Sequence, residues 1–131
     1  MQALHNFTTS TGNAFKIALY TSSSNLSAAT TAYGGATATN EVTGTGYTAG
    51  GTGLTNVTPT TSGTTAYTDF NPDVTWSTST ITARGALIYN STNANRAVVT
   101  LDFGSDKSSS AGDFTIVFPA FDSTNAIIRI A

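Results

Sequence analysis

Ala97-Val98-Val99-Thr100-Leu101-Asp102-Phe103, followed shortly by Phe114-Thr115-Ile116-Val117-Phe118, reads as two β-strands. Side chains in an extended segment alternate between faces, so Val99, Leu101 and Phe103 point one way, as do Phe114, Ile116 and Phe118. The same period organises Phe15-Lys16-Ile17-Ala18-Leu19-Tyr20, where Phe15, Ile17 and Leu19 oppose Lys16, Ala18 and Tyr20 as a half-buried strand. From Ile81 to Asn90 it sets Ile81, Ala83, Gly85, Leu87 and Tyr89 against Thr82, Arg84, Ala86 and Ile88, with no apolar stripe at helical spacing. Ala126-Ile127-Ile128-Arg129-Ile130 carries the alternation to the end of the chain and predicts a core strand there.

Turn-forming clusters separate these runs: Asn71-Pro72-Asp73, Asn90-Ser91-Thr92-Asn93, Gly104-Ser105-Asp106-Lys107 and Asp122-Ser123-Thr124-Asn125. Weaker strands are expected at Leu54–Pro59 and Ala66–Asp69, and a helical turn at Leu26–Ala29. Short strands with no helical layer predict an all-β protein, a single-domain β-sandwich or jelly-roll-like barrel with long Gly/Thr-rich loops. One β domain spans residues 1–131, with about 1–12 as a mobile arm and about 22–63 loop-rich.

Charged residues are 9% of the chain and hydrophobic ones 39%, while threonine supplies roughly a fifth, so the polar surface is built of hydroxyls rather than ions. A net charge of -2 offers no basic stripe to a phosphate backbone and no polybasic patch to an anionic bilayer, so neither nucleic acid nor membrane is expected as a partner. With no cysteine, thiolate chemistry, disulfides and cysteine-ligated metals are excluded.

Catalytic chemistry finds little to build on. His5 is the only histidine and lies near the N-terminus, a poor place for a triad base. The carboxylates Glu41, Asp69, Asp73, Asp102, Asp106, Asp113 and Asp122 mostly sit beside turn-forming residues, as structural carboxylates do. Asp102, Asp106 and Asp113 lack the spacing of a calcium loop, and turn chemistry with pairing to Lys107 is the expectation there. Gly44-Thr45-Gly46-Tyr47-Thr48-Ala49-Gly50-Gly51-Thr52-Gly53 has the glycines of a phosphate loop but no following lysine, and reads as a surface loop. Tyr33, Tyr47, Tyr67 and Trp76 are the rings an aromatic sugar-binding platform would need, the basis of an alternative reading as a carbohydrate-binding module; Trp76 reads equally as a core plug. No catalytic residue, cofactor or metal site is predicted.

Several motifs resemble small structural proteins of tailed bacteriophages: His5-Asn6-Phe7-Thr8 with Lys16-Ile17-Ala18-Leu19-Tyr20-Thr21; Asn40-Glu41-Val42-Thr43-Gly44-Thr45-Gly46-Tyr47; Ile81-Thr82-Ala83-Arg84-Gly85-Ala86-Leu87-Ile88-Tyr89; and Leu101-Asp102-Phe103-Gly104-Ser105-Asp106-Lys107 with Gly112-Asp113-Phe114-Thr115. The resemblance implies a non-enzymatic virion subunit, a head cement or decoration protein that stabilises the capsid by binding the major capsid protein, with a tail or baseplate subunit as the alternative. It also implies assembly with other virion subunits in the host cytoplasm and a homo-oligomer, such as a trimer. The Gly34–Gly63 region, with Gly44, Gly46, Tyr47, Gly50 and Gly51 at its centre, is the expected partner-binding arm, ordering on the partner and dispensable for the fold.

Overall fold

The computed structural model describes residues 4–34 and 39–131. Residues 1–3 of the expected arm and residues 35–38 of the expected partner-binding region lie outside them. Among the described residues there is no helix; Leu26–Ala29 forms a turn closed by the Thr30 N–H on the Ser27 carbonyl at 3.0 Å.

Seven strands make two antiparallel sheets: β1 Phe15–Tyr20, β2 Thr52–Leu54, β3 Thr60–Ser62, β4 Thr65–Thr68, β5 Val74–Asn90, β6 Arg96–Ile116 and β7 Ile128–Ile130. One sheet has the order β2-β1-β5-β6 and the other β3-β4-β7, a small β-sandwich rather than a closed barrel. The Ala97–Phe103 and Phe114–Phe118 runs are not separate strands; the first and Phe114–Ile116 of the second lie on the 21-residue β6, with Val117 and Phe118 just beyond its end, and Gly104–Lys107 is an irregularity within it rather than a turn between strands. The reason is β5, which is 17 residues long and offers a partner along that length.

Four register shifts interrupt the β5–β6 ladder. Between Ala83↔Lys107 and Gly85↔Asp102, β6 spends five steps where β5 spends two, which expels Phe103–Asp106 from the ladder around Gly104 at φ 76. The shifts on β5 also change which parity faces the core. Trp76, Ser79, Ile81, Ala83, Ala86 and Ile88 all turn inward, although the steps from Trp76 to Ser79 and from Ala83 to Ala86 are odd. The period-2 reading that grouped Ile81 and Ala83 with Leu87 and Tyr89 is therefore corrected, because one extra residue reverses every side chain beyond it.

The central strands are covered on both faces. Phe15, Ile17, Leu19, Val42, Phe70, Trp76, Ile81, Ile88 and Phe114 form the main core, while Ala18, Tyr20, Leu87 and Tyr89 form a second cluster under Leu26 and Tyr33. β1 is thus buried on both sides apart from Lys16, not half-buried. The expected 54–59 strand is absent: β2 ends at Leu54, and only Asn56 bridges, to Phe70. β4 begins one residue before the expected Ala66 and ends at Thr68. β7 is an edge strand whose Ile130 is 72% exposed, so the C-terminal run is tied to β4 without being a core element. From Leu4 onward the N-terminal stretch is anchored. The Leu4 carbonyl accepts from the Asn90 and Asn93 amides, the Asn6 N–H donates to Asn13 Oδ1 at 2.9 Å, and Phe7 stacks on Phe15 at 4.6 Å.

Candidate functional site

β1 ends at Tyr20, opposite Gly85, while β5 continues beyond, and β2 covers only Phe15–Ile17 of the other edge of β1. Two stretches of edge are left open, and the segment from Asn40 to Gly53 fills both. Asn40 and Val42 take up the far end of β1 through Thr21 N–H to the Asn40 carbonyl at 3.0 Å and Val42 N–H to the Leu19 carbonyl at 2.9 Å. Thr45 bridges Thr80 of β5, whose N–H donates to the Thr45 carbonyl at 2.9 Å.

Leu19 N–H lies in the gap between these pairings and is met by a side chain. The Tyr47 hydroxyl accepts from Leu19 N–H at 2.9 Å and donates to Glu41 Oε1 at 2.6 Å. Oε1 also accepts the Gly50 N–H at 2.7 Å, and Oε2 accepts the Tyr33 hydroxyl at 2.9 Å. Tyr33 stacks on Tyr89 at 4.5 Å, and the Tyr89 hydroxyl returns to the Gly50 carbonyl at 2.7 Å. One half-buried carboxylate therefore ties β1, the strap and the second hydrophobic cluster together. Burial, reinforced by the bond to Glu41, pushes the Tyr33 hydroxyl up to about 12 and the Tyr47 hydroxyl further above the ordinary phenol range, so both remain neutral donors.

The glycines of the strap are close-approach residues. A Cβ on Gly51 would run into the Ile17 carbonyl, one on Gly44 into the Thr80 carbonyl, and one on Gly46 would stand 2.9 Å from Ser79 Cα. Gly46, Gly50 and Gly51 also have positive φ of 83, 92 and 73. Of the predicted partner-binding residues, all five, Gly44, Gly46, Tyr47, Gly50 and Gly51, thus fall in one ordered strap whose inner side is committed to the fold. Its outer side presents Thr43, Thr45, Thr48 and Ala49, all exposed. The expectation that Gly34–Gly63 is dispensable for the fold is corrected, since that region supplies β2, β3, Glu41 and the buried Val42.

Every carboxylate except Asp106 accepts a backbone N–H: Glu41 from Gly50, Asp69 from Phe70 and Ile127, Asp73 from Phe118, Asp102 from Gly104, Asp113 from Thr78, and Asp122 from Thr124 and Asn125. Asp69 is buried, and that burial raises its carboxyl above the usual range against the pull of its two amide donors. Asp102 and Asp106 face Arg84 at 3.3 and 4.0 Å, while Lys107 bonds Ser105 rather than a carboxylate. Among the described residues, no three His, Asp or Glu side chains gather where they would hold a metal ion.

Three of the four rings of the platform reading come together, but turned to the fold: Trp76 is buried beside Phe114 and 5.9 Å from Tyr47, and the Tyr47 and Tyr33 hydroxyls both donate to Glu41, while Tyr67 packs apart from them on Phe121. Sequence reasoning missed the role of Glu41. Its signal was present in the spacing of the lone glutamate, Tyr47 and the glycine pair Gly50-Gly51, but nothing in the sequence brings Tyr33 and Leu19 to it. No family model, curated protein or solved structure matches the chain.

Proposed function

We propose that this chain is a non-enzymatic structural subunit of a tailed-bacteriophage virion, acting as a head cement protein that binds the major capsid protein. The observation that carries the reading is the pairing of a rigid, strap-locked body with an exposed surface of hydroxyls. The strap presents Thr43, Thr45 and Thr48, and β6 presents Ser105, Ser108 and Ser110, with ion pairs among the described residues confined to the neighbourhood of Arg84. Contacts through hydroxyls and backbone edges are barely screened by salt, whereas exposed ion pairs weaken as the Debye length falls to about 3 Å near 1 M. A subunit of this kind holds a particle through changes of ionic strength.

The Asn40–Tyr47 motif on which the phage resemblance chiefly rests is, in this structure, the strap lock itself. It supports kinship of fold, and the contact with a partner falls to the outer threonines. The test is addition of the purified chain to particles stripped of it. Saturable binding that persists from low salt to about 1 M NaCl, and is lost on changing Thr43, Thr45 and Thr48 together to Glu, is the expected result. Failure to bind, or binding abolished by moderate salt, refutes the assignment.

A further inference from the structure

β1 ends at Tyr20, opposite Gly85, and on the other side of β5 Gly85 pairs with Asp102 of β6. Side chains paired across antiparallel strands share a face, and from Gly85 to Ile88 the ladder runs without a shift, so Tyr20, Gly85, Leu87, Thr100 and Asp102 belong to one side of the sheet. Gly85 leaves a gap in that row. The gap is fixed by the strand pairing, because a Cβ at Gly85 would run into the Leu101 carbonyl. The chain leaving β1 turns at once, with the Ser24 N–H on the Thr21 carbonyl at 3.1 Å. Its Ser22, Ser24 and Leu26 then face Arg84, Thr100 and Asp102 across a cleft of about 330 Å3. That volume suits a small ligand, for which sites span about 300–1,000 Å3.

The polar groups of the cleft have capacity to spare. Asp102 accepts both Arg84 Nε–H, at 3.3 Å, and the Gly104 N–H, at 2.8 Å, on the same oxygen, Oδ1. Asp102 Oδ2, the Arg84 Nη hydrogens and the hydroxyls of Ser22, Ser24 and Thr100 meet no hydrogen-bond partner among the described residues. The Gly104 N–H, and after it Arg84, hold the Asp102 carboxyl below the usual carboxylate range, so Oδ2 is an acceptor at neutral pH. Guanidinium donors beside a carboxylate acceptor match adjacent ring hydroxyls, each of which both donates and accepts. Leu26, half-buried against the second cluster, offers apolar surface to the C–H groups of such a ring.

Charge selects among polar ligands. Arg84 lies 3.3 Å from Asp102 and 4.0 Å from Asp106, so its charge is already balanced and an anion gains nothing here. No third carboxylate joins them to hold a metal ion. We infer that the cleft between the Ser22–Leu26 turn and Thr100–Asp102 is a binding site for a neutral sugar ring, held by Arg84 and Asp102. The inference is independent of the virion reading.

The test is titration of the 15N-labelled chain with the methyl glycosides of glucose, galactose and mannose, followed by amide chemical shifts. At least one glycoside is expected to shift Ser22, Ser24, Gly85, Thr100 and Asp102 saturably, with a dissociation constant of roughly millimolar order. The affinity should be unchanged in about 0.5 M NaCl, since the ligand carries no charge, and inorganic phosphate should leave these amides in place. R84Q and D102N should each raise the dissociation constant by roughly tenfold or more. Both side chains are substantially exposed, at 41% and 76%, and such surface ion pairs contribute little to stability, so amide shifts remote from the cleft verify that each variant folds. Absence of a saturable shift with all three glycosides up to about 100 mM overturns the inference. So does binding indifferent to both R84Q and D102N, or phosphate occupying the cleft in place of the sugars.

Discussion

Replacing Glu41 by Ala removes the acceptor for three donors at once: the Tyr47 hydroxyl, the Gly50 N–H and the Tyr33 hydroxyl. Tyr33 is nearer the surface and regains water, but the Tyr47 hydroxyl and the Gly50 N–H lie on the inner side of the strap, and a buried donor without a partner costs about 1–3 kcal/mol. The expected loss is about 3 kcal/mol, which at about 2.1 cal/mol/K of unfolding entropy per residue lowers Tm by roughly 10 °C for a chain of this length. Glu41→Gln separates charge from connectivity. Its carbonyl oxygen can keep Tyr47 and Gly50 while its amide donates to a Tyr33 hydroxyl that turns to accept, so only the charge assistance is lost, about 1–2 kcal/mol. Urea denaturation with an unchanged slope measures both values. A double-mutant cycle of E41A with Y47F should show coupling of about 1–2 kcal/mol, because the two side chains share the 2.6 Å bond from the Tyr47 hydroxyl to Glu41 Oε1. Alanine no more damaging than glutamine, or additive E41A and Y47F effects, would refute the lock.

Neighbouring strap glycines should respond in opposite ways. Gly51→Ala drives a Cβ into the Ile17 carbonyl at positive φ and should cost about 3 kcal/mol or more, whereas Gly53→Ala meets nothing and should change stability by less than about 0.5 kcal/mol, both read by thermal melts. Burial first, then the nearby Arg96, hold the His5 imidazole below its ordinary 6.5, so the neutral ring is favoured in the fold. The anchoring of the N-terminal stretch is therefore fully present above that value and weakens as pH falls through the lowered one; amide protection across residues 4–14, taken relative to the intrinsic exchange rate at each pH, should fall on acidification, and unchanged protection counts against the packing at Asn90. Ser79→Ala deletes a buried hydroxyl shared by the Trp76 carbonyl, the Ser109 hydroxyl and the Gly112 carbonyl, and should cost about 1–2 kcal/mol by denaturation while leaving β1 amide protection intact.

The strands at Phe15–Tyr20 and within Val74–Asn90 were legible because alternation of bulky and polar residues is a local property of the chain. The faces of β5 were not, because the shifts near Thr78 and Arg84 depend on how β6 pairs with it, and Thr78 at φ 50 announces nothing in its own sequence. Gly104-Ser105-Asp106-Lys107 has the composition of a turn, and its first three residues leave the ladder as a turn would, yet the strand resumes at Lys107 because β5 has length to spare. The strap was visible as a glycine-rich segment, but whether such a segment hangs free or lies on a sheet is decided by contacts distant in sequence. Ile17 and Thr80 set the limit on Gly51 and Gly44, and Leu19 supplies the N–H that Tyr47 meets. Gly44, Gly46, Tyr47, Gly50 and Gly51 lie together in one strap as their sequence proximity requires, while their commitment to the fold is visible only in the structure.

The measurement bearing most directly on the proposed role is the copy number of this chain in purified virions, taken by quantitative peptide mass spectrometry against the major capsid protein. The account predicts a fixed ratio between about one-to-one and one-to-three, as lattice symmetry demands of a cement subunit. A much smaller ratio would place the chain in the tail or baseplate, and its absence from the particle would contradict the virion assignment outright.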